Sequence, residues 1–81
     1  MIESVIVTIS NNKDINVDME LPVNILISEL STKLLSSLIE RYPRELSGKE
    51  QIILKHNGDM LLKDKTLYEV GVWDGSILEF D

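Results

Sequence analysis

Cysteine is absent from the 81 residues, which rules out a disulfide framework and a thiolate metal site. Its absence fits a reducing compartment. Histidine occurs once, at His56, and a metal centre needs several ligands together, so His56 reads as a structural or solvent-facing residue, with Asp59 and Asp64 as turn residues. Positive charge is scarce. Eight Lys and Arg stand against fourteen Asp and Glu, giving a net charge of -6 at pH 7. Phosphate neutralisation needs clustered cations, so this balance argues against a nucleic-acid binder. From Thr66 to Asp81 there are four acidic residues and no basic one. Such acidity serves solubility first, and a basic or mixed-charge protein partner second.

Long apolar runs are also missing. The longest, such as Ile25-Leu26-Ile27, have three residues, against the ~20 that a spanning helix requires. The first ten residues, MIESVIVTIS, have no basic stretch and carry an acid at position 3, unlike a secretory signal. Direct membrane insertion is therefore not expected, and a cytoplasmic protein is. A chain of 81 residues suits one domain over residues 1–81.

What is present is a clear change of period along the chain. Val5, Val7 and Ile9 alternate with Ile6, Thr8 and Ser10, the pattern of a β-branched strand with one buried face. The polar cluster Asn11 to Asp14 suits a tight turn, and Ile15, Val17 and Met19 then alternate with Asn16, Asp18 and Glu20. These two runs predict an N-terminal hairpin that ends at Leu21-Pro22. Ile27, Leu30, Leu34 and Leu38, widened by Leu35 and Ile39, form a stripe of helical period. Ser28, Glu29, Ser31, Lys33, Ser36 and Ser37 fall off that stripe, and Pro43 stops the helix near Tyr42.

After an irregular polar stretch to Gln51, Ile52 to Leu54 read as a strand and Asn57-Gly58-Asp59 as a turn. Met60 to Leu62 read as a short return strand, Thr66 to Gly71 as a helical turn closed by glycine, and Ser76 to Phe80 as a last strand. The first and last strands should lie parallel in the centre of a mixed sheet, joined by a right-handed crossover. The predicted class is α+β: a β-grasp sheet of four to five strands packed on one amphipathic helix.

Three segments carry a resemblance to the ubiquitin superfamily over nearly the whole chain: MELPVNILISEL, IILKHNGDMLL and TLYEVGVWDGSILEF. Within it, the chain resembles the small YukD/EsaB-type proteins of bacterial type VII secretion systems, in size and in the Asp-x-x-Leu-Pro element from Asp18 to Pro22. The resemblance implies a non-conjugated ubiquitin-like accessory that acts by protein binding. Its implied partners are components of the secretion machinery, including membrane-anchored parts and an FtsK/SpoIIIE-type ATPase. Two other readings stand beside it: a modifier or sulfur carrier activated at its C-terminus, and an ubiquitin-like domain cut from a larger membrane component. The sequence ends Glu79-Phe80-Asp81 without Gly-Gly, which disfavours the first.

Catalytic arrangements are not expected. Ser76 lacks a nucleophile elbow, Gly58 lacks a phosphate-loop lysine, and Glu45 and Glu50 lie in a polar loop. No cofactor is implied, so the chain reads as a non-enzyme. Trp73-Asp74-Gly75 reads as a turn before a strand, with Trp73 covering an edge of the core. In the family register, Leu54 opposes Phe80 inside and Lys55 opposes Glu79 outside. Lys55 then stands where ubiquitin presents its central exposed isoleucine, and Asp81 where ubiquitin has an exposed valine. Outward-pointing Ile6, Ile53 and Ile77, with Lys55 and Glu79, are the candidate protein-binding residues. Ile6 and Ile77 should be neighbours on the face opposite the helix.

Overall fold

Strand β1 spans Ser4–Ser10 and pairs antiparallel with β2, Asn16–Pro22, in the register Ser4 to Pro22 through Ser10 to Asn16. The computed structural model describes residues 3–11 and 13–80. Pro22 can close β2 without disrupting a ladder, because β2 lies at the sheet edge. Val5, Val7 and Ile9 are buried, as the alternation requires, and so are Leu21 on β2 and Ile15 just before it.

Helix α1 runs Ile27–Arg41 and buries Ile27, Leu30, Leu34, Leu35 and Leu38 against the sheet. Its start has no side-chain cap. The amides of Ile27 and Ser28 instead donate to the carbonyls of Lys65 (2.8 Å) and Lys63 (3.1 Å), so a distant loop satisfies donors that a helix start leaves open. The helix ends before Pro43, where the Tyr42 amide still reaches the Leu38 carbonyl at 2.7 Å. Ser31, off the apolar stripe, is nevertheless buried; its small side chain lines a groove with Ile52. Leu46, in the stretch read as merely polar, also enters the core.

The next strands are shorter than the sequence suggests. The ladder holds only Lys55–His56 (β3) and Asp59–Met60 (β4), not Ile52 to Leu54 or Met60 to Leu62. The register sets Lys55 against Glu79, which carries Leu54 to Phe80 and leaves Ile52 and Ile53 beyond the described part of the neighbouring strand. After Leu61, whose amide bonds the Leu54 carbonyl at 2.8 Å, the chain leaves the sheet to meet the start of α1. Asn57 and Gly58 join β3 to β4 with positive φ at both, 54° and 84°, which a two-residue hairpin of right-handed twist requires.

Strand β5, Ile77–Glu79, enters between β1 and β3, parallel to the first and antiparallel to the second. The order β2-β1-β5-β3-β4, with one helix across one face, is the β-grasp fold. Ile9, Leu54, Leu67, Leu78 and Phe80 meet the helix stripe in one core.

Candidate functional site

Alternation that buries Val5, Val7 and Ile9 sends Ile6 and Thr8 to the face opposite α1. Glu20 and Asp18 of β2 are their cross-strand partners. The Thr8 hydroxyl donates to Asp18 Oδ1 at 2.7 Å, and the Ser4 hydroxyl donates to Glu20 Oε2. Both carboxylates are thus held in place along the face. Ile77 stands beside Thr8 on β5, so it lies one diagonal step from Ile6. The two isoleucines are 56% and 55% exposed. They are neighbours on the outer face, diagonal and not directly paired.

Below β5 the chain keeps hold of β1 by other means. The Ile6 amide donates to Asp74 Oδ1 at 2.8 Å, and the Ile6 carbonyl accepts from the Gly75 amide at 2.9 Å. A hydrogen-bonded turn, Ser76 amide to Trp73 carbonyl at 3.0 Å, sets up both contacts. Asp74 therefore joins Asp18 and Glu20 around Ile6.

Lys55 and Glu79 are cross-strand partners, as the family register predicts. Ile53 is 37% exposed and lies beyond that pair, at the far end of the face from Ile77. It shares a groove with Met60 and Leu62, both exposed. The five candidate residues therefore do not converge: Ile6 and Ile77 form one end, Lys55 and Glu79 a charged middle, and Ile53 the other end. Asp81, placed at an exposed valine of ubiquitin by sequence, lies outside the described residues.

Trp73 does not cover a core edge. It is half exposed and meets Tyr68, itself 65% exposed, edge-to-face with ring centroids 6.3 Å apart. The turn geometry explains this, because Val72 takes the buried position and Trp73, next in line, is turned outward. Two exposed aromatics so paired were not among the candidate residues. Their signal in the sequence is weak, since Trp73 sits in a turn where alternation gives no side.

Strands β1, β2 and β5 contain no Lys or Arg. Among the described residues, no group of three or more His, Asp or Glu could hold a metal ion, and no helix is long and apolar enough to cross a membrane. His56 pairs with Asp59 across the β3–β4 hairpin.

Solved structures with this fold include the ubiquitin-like domain of the type VII secretion system protein EccD1 from Mycobacterium tuberculosis. It has 20% identity and a TM-score of 0.79, with 98% of each chain covered. The EccD5 ubiquitin-like domain of Mycobacterium xenopi gives 24% identity and a TM-score of 0.79, covering 99% of this chain and 94% of that one. A chain of the MycP5-free ESX-5 inner membrane complex gives 24% and 0.80, with 99% of this chain matching 21% of that chain. At these identities the likeness establishes the fold. No curated protein matches the sequence. Residues 4–80 match the family described as YukD, of the WXG100 protein secretion system (Wss), and the chain belongs to that family.

Proposed function

We propose that this protein is a cytoplasmic adaptor of a type VII secretion system, acting by protein–protein binding and not by catalysis. The observation that carries the reading is the pair Ile6 and Ile77, two large apolar side chains left exposed as neighbours on a sheet face that, among the described residues, no other element covers. Apolar area of this kind gains nothing in the monomer and becomes the centre of an interface when a partner excludes water. Membership of the YukD family directs the choice of partner to the secretion machinery. The occurrence of the same fold within an inner-membrane secretion complex supports that choice.

The test is capture from native cells. Tagged parent protein should retain components of the secretion machine, and Ile6→Ser with Ile77→Ser should lose them while keeping the parent's circular dichroism. Capture by the folded double variant of every partner that the parent captures would remove this surface from the function.

A further inference from the structure

We propose that the docking surface is the Ile6 end of the sheet together with the Tyr68–Trp73 pair, and that its occupant is a basic amphipathic protein segment carrying Arg or Lys beside apolar side chains. The inference rests on the adaptor reading and adds the chemistry of the partner. Three features lead to it. Ile6 and Ile77 are exposed on the outer face, and Trp73 immediately precedes the Asp74-Gly75 pair that is hydrogen-bonded to Ile6. The aromatic pair is therefore tied to the same end of the sheet. Trp and Tyr are the side chains that most often anchor interfaces, and their faces attract guanidinium and ammonium groups.

The second feature is the sign of the charges. Asp18, Glu20 and Asp74 surround Ile6, and Glu69 lies between Tyr68 and Trp73 in the chain. No Lys or Arg occurs in β1, β2 or β5, or anywhere from Thr66 to Phe80. A nucleic acid or an anionic lipid surface brings like charge to this rim, and so does a second copy of the chain presenting the same face. A basic segment brings the opposite sign.

The third feature is that the carboxylates are already positioned. Asp18 accepts from the Thr8 hydroxyl, Glu20 from the Ser4 hydroxyl, Asp74 from the Ile6 amide, and Glu69 from the Thr66 amide at 3.0 Å. Each carboxylate retains capacity to accept from an incoming cation, since its two oxygens offer several lone pairs. Groups held in advance lose little rotamer freedom when the partner arrives.

Trp73 is the single tryptophan, so its emission reports on this surface alone. The probe is a short synthetic peptide of alternating leucine and arginine. One control replaces arginine by glutamate, and the other replaces leucine by serine. The expected result is a saturable blue shift with the first peptide and none with either control, with amide chemical-shift changes at Ile6, Asp74 and Ile77. Asp18→Asn with Glu20→Gln, which keeps acceptors for both hydroxyls, should weaken binding about fivefold. Tyr68→Ser should weaken it about tenfold. An equal response to the glutamate peptide, a shift caused by protein concentration alone, or perturbation centred on Ile53, Met60 and Leu62 overturns the proposal. Silence toward the arginine peptide, with native capture still dependent on Ile6 and Ile77, overturns the partner chemistry and leaves the adaptor reading standing. Peptide binding with native capture indifferent to those residues overturns the adaptor reading instead.

Discussion

Asp74 performs a backbone's task with a side chain. A parallel neighbour of β1 would ordinarily offer a carbonyl to the Ile6 amide, but the turn at Trp73 to Ser76 takes the main chain away, and Asp74 Oδ1 fills the place at 2.8 Å. The site is solvent-exposed, so water can substitute in part. Asp74→Ala should therefore cost about 1 kcal/mol in urea unfolding, within the usual range for one hydrogen bond. Asp74→Asn retains an acceptor and should recover most of it. Equal loss for both variants would show that the oxygen is not what matters there. This role is invisible in sequence: Asp-Gly announces a turn, but nothing local says which distant amide the aspartate will meet. The same limit explains Trp73. Alternation assigns sides within a strand and falls silent inside a turn, whereas Ile6 and Ile77, both in strands, were placed correctly on the outer face.

Between Thr66 and Val72 a single helical turn is fastened at both ends. The Thr66 hydroxyl accepts from the Glu69 amide (3.2 Å) while the Glu69 carboxylate accepts from the Thr66 amide (3.0 Å), the reciprocal bonds of a capping box. At the other end the Val72 amide reaches the Leu67 carbonyl (3.1 Å) and the Gly71 amide the Tyr68 carbonyl (3.3 Å), with Gly71 at φ 77°. That pattern closes a helix through a left-handed residue, a conformation that glycine adopts at little cost. Buried Leu67 and Val72 are the two ends of its apolar contact. One turn is too short to persist by itself, so its caps count for much. Thr66→Ala and Glu69→Ala should each cost about 1 kcal/mol, and the double variant should cost less than the sum, because both remove the same pair. Strict additivity in chemical denaturation would show that the two bonds are independent. Elements announced by caps, such as this turn, or by a long stripe, such as α1, were legible. β3 was not, since its alternation is sound at Ile52 and Leu54 but its ladder is decided by where β5 lies.

Across the whole molecule, the interior carries the stability, and the outer face is the surface proposed for binding. Leu38 and Leu67 have no measurable exposure and sit where helix, sheet and loop meet. Leu38→Ala should cost about 2–5 kcal/mol, the range for a buried leucine, while Ile77→Ser on the open face should change stability by about 0.5 kcal/mol or less. Thermal unfolding of the two variants checks the contrast, and a large loss for Ile77→Ser would mean that this residue is structural. The fold was legible from the order of periods, because one stripe of helical period between alternating strands leaves few ways to build a shared core. The make-up of the proposed surface was legible only in part, because it depends on which exposed groups the register and the turns bring together. The parallel pairing of β1 with β5 has a further consequence for synthesis. A nascent chain that has been made as far as Val70 already holds β1, β2 and α1, yet it lacks the strand that fills the middle of the sheet. Until translation passes Phe80, the inner flank of β1 stays open at Thr8, Ile9 and Ser10, and buried Ile9 lacks its neighbour Leu78. The vulnerable moment for a ribosome-bound copy therefore comes at the centre of the sheet and not at its rim, and it closes only when the last strand slides in.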